Sequence, residues 1–280
     1  MIRLDAATVL SQWATGGLLF LWVTTRRREV GIGYGWLLRS VYAILALGSV
    51  AAGQMLDAVP LRDACAGLVA AGAGVALAES ITRRKAGVAG ERAREARRVA
   101  RVGARDVEER PTGEREFRPI LDLIAPAFGA VGLVAAGLAA GGNDVLAVVR
   151  TLVGAAFLGA VTDAMLLGHW YLMQPGLGRA PLNELNRWVA YVWPFEVAAL
   201  LWPPGMVQVI GGSIDDGYDG VLGWFWLACA ISTIVLTVVT RLALRERAYS
   251  AVMAATGLLY LAILTAFGTD LVARAVLAST

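Results

Sequence analysis

GVLGWFWLACAISTIVLTVVT, residues 220–240, contains no charged side chain and decides the class of fold. A helix needs about 20 mainly apolar residues to cross the hydrocarbon of a bilayer. Other stretches read the same way, at roughly 6–25, 33–55, 63–82, 119–141, 145–172, 187–204 and 249–269. The chain is therefore expected to be an all-α integral membrane protein with about eight transmembrane helices. The stretch at 187–204 is the weakest, because it is short and carries Pro194 and Glu196.

Composition agrees. Of 280 residues, 58% are hydrophobic and 17% charged, whereas a soluble domain carries about 25% charged residues. The net charge of +3 needs no nucleic acid to explain it, because the arginines cluster between apolar segments. Cys65 and Cys229 lie inside apolar stretches and match no metal or redox spacing. The first apolar run lacks a strongly basic start and a small-residue cleavage pattern and ends in Arg26-Arg27-Arg28, so it reads as an anchor and not a leader.

Basic residues follow every odd segment: Arg26–Arg28, then Arg83, Arg84 and Lys85, then Arg179 and Arg187, then Arg241, Arg245 and Arg247. The opposite loops carry Asp57, Asp63, Asp144, Asp215, Asp216, Asp219 and Asp270. By the positive-inside rule the basic side is cytoplasmic and both termini lie outside. An Ala-, Gly- and Arg-rich composition points to a high-GC bacterium, hence its cytoplasmic membrane.

Three units follow: 1–82 with three helices, 83–118 as a basic loop, and 119–280 with five helices. Residues 83–118 carry 12 basic and 7 acidic side chains. Within them Arg94, Arg97, Arg98, Arg101 and Arg105 recur at helical spacing, up to a break at Pro111-Thr112-Gly113. Such a stripe is either a solvated positive-inside loop or a dock for anionic lipid or a membrane-protein partner. Small residues at Ala64-Cys65-Ala66-Gly67 and Gly129-Ala130-Val131-Gly132 predict close helix packing in lipid.

The stretch Thr162-Asp163-Ala164-Met165-Leu166-Leu167-Gly168-His169-Trp170-Tyr171-Leu172-Met173 is the one that reads as a site. Carboxylates inside a membrane helix are expensive, and they mark function or an ion pair. Asp163 and Glu196 are such groups, and Arg39 is a cation that reaches Asp163 or Glu79 if the pairing is structural. With His169, the chain's single histidine, they are the candidate catalytic residues, sharing one pocket if their helices bring them together. Thr162, Met165, His169 and Met173 fall on one helical stripe, with Asp163 and Trp170 on another about 100° away. His169, Trp170, Tyr171, Met165 and Met173 are candidate ligands for a quinone or haem. The plain alternative is an interfacial aromatic belt. Arg179 and Arg187 are candidates for an anionic headgroup, and Asn183 for a helix cap. Asp215-Asp216-Gly217-Tyr218-Asp219 resembles only a fragment of a calcium loop and reads as a solvated turn.

Three functional classes fit these residues. The first is a quinone- or haem-associated redox subunit. The second is a proton-coupled small-molecule transporter, with Pro194 breaking a helix beside Glu196. The third is a structural subunit of a membrane complex. Nucleotide-binding, serine-hydrolase and zinc-protease signatures are absent from the sequence.

Overall fold

Helix ends are fixed by residues that satisfy free backbone groups. The Asp5 carboxylate accepts from the N–H groups of Ala7 and Thr8 and starts α1 (Ala6–Thr25). Gly31 precedes α2 (Ile32–Met55), and Pro60 opens α3 (Pro60–Thr82), where its missing N–H is harmless. α4 (Arg84–Gly103) follows almost without a break. A short 3-10 turn, Pro119–Leu123, leads into α5 (Ile124–Ala139). Asn143 caps α6 (Asp144–Met173) by accepting from Leu146 N–H at 3.0 Å. Then come α7 (Ala180–Leu201), α8 (Met206–Ile210), α9 (Val221–Ala243) and α10 (Tyr249–Leu277). The computed structural model describes residues 4–103, 116–174 and 177–278, without the side chains of 95 and 97–103. All regular structure among the described residues is helical.

Seven of the described helices are long and apolar enough to cross a membrane: α1, α2, α3, the 119–139 pair of turn and α5, α6, α9 and α10. α7 has the length, 22 residues, but includes Glu184, Arg187 and Glu196. It begins seven residues before the expected 187, and so takes in Glu184 as well. Asn183 therefore lies inside its first turn and donates to the Arg179 carbonyl at 3.1 Å instead of capping. Pro194 sits within α7, which runs on to Leu201. α10 outlasts its apolar stretch because Asp270 and Arg274, one turn apart, neutralise each other at 2.6 Å.

Two helices form the middle. α1 packs against α2, α5 and α6, while α6 packs against α1, α5, α7 and α10. Where α1 crosses α6 there are no side chains to interdigitate. A Cβ on Gly16 would fall 1.8 Å from the Ala155 carbonyl oxygen, and one on Gly159 2.2 Å from the Gly16 carbonyl carbon. The backbones themselves touch, as small residues permit in lipid. Gly129 and Gly132 behave as expected, lying against Thr15 and Cys65. Gly67 does not, since it faces open space. On the outside, Ile44, Val75, Val131, Val235 and Leu264 are each more than half exposed, an apolar surface that suits a lipid solvent.

Asp216 is not part of a solvated turn alone. Its carboxylate accepts from the N–H groups of Tyr218, Gly220, Leu222 and Gly223 at 2.8 to 3.2 Å. It thus supplies the negative charge that the start of α9 favours. Desolvation pushes this carboxyl up, but the four backbone donors outweigh it and hold the group below the ordinary carboxylate range. The stabilisation is therefore complete above the unfolded value, about 3.9, and is lost as pH falls through the lower folded value. Asp216→Ala is expected to lower the melting temperature at pH 7, and Asp216→Asn to lower it less. Circular-dichroism melts in detergent should show the gap closing only in strong acid; a gap independent of pH would assign the effect to packing.

Candidate functional site

Asp163 is wholly buried in α6, between α1 and α2. Gly17 of α1 leaves a slot for the Tyr42 ring, whose Cζ lies 2.0 Å from where a Cβ would stand. From that slot the Tyr42 hydroxyl donates to Asp163 Oδ1, while Oδ2 has no hydrogen-bond partner. Tyr34, two turns earlier on α2, donates to the Asp163 backbone carbonyl at 3.3 Å. Next to it, Trp13 Nε1 donates to Thr162 Oγ1 at 3.0 Å. Among the described residues no cation forms an ion pair with Asp163. The cation expected for it, Arg39, is engaged elsewhere: its Nε and Nη2 reach Asp122 at 2.7 Å each, with Phe117 stacked 4.5 Å away. Arg39 lies two turns into α2, beside the 119–123 turn, and that nearer carboxylate takes it. An unpaired carboxylate in so apolar a site is prohibitively expensive. That leaves Asp163 as a buried carboxyl whose charge no described cation offsets.

Glu196, also fully buried, lies in a second cluster. Asp270 and Arg274 of α10 and Arg150 of α6 face it, and its carboxyl contacts that of Asp270. Neither Glu196 oxygen receives a hydrogen bond from a donor group, so the carboxyl–carboxyl contact is a hydrogen bond only if the pair shares a proton. Asp270 is held at 2.6 and 3.1 Å by Arg274 Nε and Nη2. Arg150 donates to the carbonyls of Ala199, Trp202 and Pro204 at 2.7 to 2.9 Å, capping the end of α7. Gly154 makes the meeting possible: a Cβ there would stand 2.8 Å from Gln12 Nε2 and 3.0 Å from Asp270 Oδ1. Gln12 donates to the Thr151 carbonyl at 2.7 Å, and its Oε1 is unpartnered. A cavity of about 20 Å³ lies beside the cluster, lined by Thr151, Arg274, Arg62 and Asp5. That is room for one or two waters at about 10–15 Å³ each.

Asp163, His169 and Glu196 do not share a pocket; each has its own neighbours. Gly154, at the level of the Glu196 cluster, is nine residues from Asp163, or about 13 Å of helix rise. His169 is exposed on the far side of α6. Its Nδ1 lies 3.1 Å from the Tyr260 hydroxyl and its ring meets Tyr260 edge-on. Trp170 donates to Gln174 at 3.0 Å and packs edge-on against Tyr34. Tyr171 is buried and donates to the Gly178 carbonyl. Met165 is half-buried and Met173 is 72% exposed. Arg179 donates to the carbonyls of Leu244, Glu246, Arg247 and Ala248, which link α9 to α10. Arg187 is exposed. Arg94 contacts Glu116, whereas the side chains of Arg97, Arg98 and Arg101, and the whole of Arg105, lie outside the described residues.

Tyr42, Gln12, Arg150, Asp270 and Arg274 were not singled out from the sequence as site residues. Gln12 was the available signal, an amide in the middle of an apolar run. The chain matches no family model, no curated protein and no solved structure.

Proposed function

We propose that this chain is a proton-coupled transporter of a small solute, with Asp163 and the Glu196–Asp270 pair as its proton-holding sites. The observation that carries the reading is Asp163: a wholly buried carboxyl with one tyrosine partner, one bare oxygen and no paired cation among the described residues. Ionisable groups set so in membrane helices mark ion and proton pathways. The second cluster adds two carboxyls in contact, with a small polar cavity at its edge.

In this reading α7 is the eighth crossing, both termini lie outside and residues 83–118 are cytoplasmic, in a bacterial inner membrane. Among the described residues three arginines near the acidic end depart from the charge rule, but each is buried and bound. Arg62 holds Asp5 and Asp63, Arg274 holds Asp270, and Arg150 holds carbonyls. Among the described residues the free basic charge stays on the opposite side.

Proton uptake into liposomes carrying the full chain, driven by an imposed pH gradient, tests the proposal. Asp163→Asn keeps an acceptor for the Tyr42 hydroxyl and should retain the folded yield while abolishing uptake. Glu196→Gln should do the same. Equal uptake by wild type and both variants would overturn the reading.

A quinone-linked redox role is the second reading, favoured by one observation: His169 and Tyr260 form an exposed hydrogen-bonded pair on an apolar face. Stoichiometric quinone in an extract of the purified protein, or a haem Soret band in its spectrum, lost on His169→Ala, would turn the assignment that way.

A further inference from the structure

At the basic end of the bundle, the loop after α1, the start of α2, the end of α3 and the middle of α4 enclose a cavity of about 60 Å³. At about 10–15 Å³ per water, it offers about four to six water positions. Four of its lining residues are Arg28, Arg39, Arg83 and Arg94, and among the described residues the only carboxylate lining it is Glu116. Two of the guanidiniums are held from outside the cavity. Arg39 is fixed by Asp122, and Arg83 by Glu79 at 2.8 Å. Arg28 and Arg94 converge on Glu116 instead, each at 3.0 Å.

We propose that this cleft binds a phosphate group, and that Glu116 occupies the phosphate position in its absence. Three features carry this. Two guanidiniums from different elements, aimed at one small anion, form the fork geometry that suits phosphate oxygens. Arg28 reaches its place only through a left-handed backbone, φ 53, a conformation uncommon outside glycine and kept where the surroundings demand it. Its Nη2 also donates to the Phe117 carbonyl at 3.0 Å, which fixes the guanidinium over the cavity. Finally, the Glu116 carboxylate lies flat on the Gly90 backbone, 1.7 Å from where a Cβ would be. Glycine there admits an anion that any side chain would displace.

The ligand is either the headgroup of an anionic lipid, reached along the apolar flank of Ile32 and Phe117, or free phosphate. Native mass spectrometry of the full chain in detergent, titrated with phosphatidylglycerol and separately with inorganic phosphate, tests the site and its source. Removing an internal competing anion should tighten binding, so Glu116→Gln should bind about tenfold more tightly than wild type. Arg28→Gln with Arg94→Gln should bind about tenfold more weakly, on the same argument from charge-assisted pairs. Binding of the lipid alone in this order assigns a headgroup; binding of phosphate in this order assigns the free ion. If Glu116→Gln binds neither, or if all variants bind alike, the proposal fails. Should the double arginine variant misfold by circular dichroism, the gain in Glu116→Gln decides, because that change removes no cation and leaves both guanidiniums in place.

Discussion

Gly16→Ala is expected to destabilise the protein by about 3 kcal/mol, at the upper end of what overpacking usually does. The reason lies in what the new methyl meets. At many glycines a Cβ would meet nothing or a side chain that can rotate away, but at Gly16 it would overlap the Ala155 carbonyl oxygen at 1.8 Å and its carbon at 2.7 Å. Only a separation of α1 from α6 relieves this. Separation would also stretch the Gln12–Thr151 and Trp13–Thr162 hydrogen bonds, which span the same helices. Gly159→Ala should act alike, being opposed by the Gly16 backbone. Gly67→Ala and Gly74→Ala are the controls, since nothing lies within 4 Å of either Cβ position. There the usual preference for alanine over glycine in a helix, about 0.5–1 kcal/mol, should leave stability unchanged or raised. Thermal unfolding in one detergent would measure all four. A Gly16 variant as stable as the Gly67 variant would mean that the two backbones are not in contact.

Arg39→Met should be the other severe change. Arg39 and Asp122 are 3% and 1% exposed and meet through two hydrogen bonds of 2.7 Å. Removing one partner of a buried pair leaves an uncompensated charge, which costs about 3–5 kcal/mol. Replacing both partners by apolar residues of similar size is often neutral, so Arg39→Met with Asp122→Leu should recover most of the loss. The recovery separates a charge effect from a packing effect. If the double variant is worse than either single one, the pair is needed for its geometry and not merely for its neutrality.

Helices were the legible part of this sequence, because hydrocarbon leaves a chain so few choices. Length and apolarity alone locate α1 to α3, α6 and α9 to within a few residues, α5 together with the turn before it, and the start but not the end of α10. They locate α7 poorly, since Glu184 and Glu196 dilute its apolarity and their partners come from distant helices. Asp163 could be recognised as a buried acid. Its partner could not, because nothing local to Tyr42 distinguishes it from any other tyrosine in an apolar run. Helical spacing placed His169 on a different face from Asp163 but could not say which face turned inward. That depends on where α1, α2 and α10 pack. Asp270 was read as a loop residue because apolarity ends at 269; the pairing of Asp270 with Arg274, which lets α10 continue, is invisible to a hydropathy window.

The enclosure of α1 also has a consequence for how the protein is made. Two-thirds of its apolar window is buried, the largest share among the seven apolar spans. Its Gln12 amide finds its acceptor 139 residues further along the chain. At ordinary rates of translation, about 5–20 residues per second, that acceptor is synthesised on the order of ten seconds later. Until then α1 stands in the bilayer with an amide and an indole N–H that have yet to meet their partners on α6. It must be sheltered by the insertion machinery or by α2, whose Ser49 already reaches the Ala7 carbonyl at 2.7 Å. A chain cut short before Thr151 therefore lacks the acceptor that the Gln12 amide uses in the finished fold.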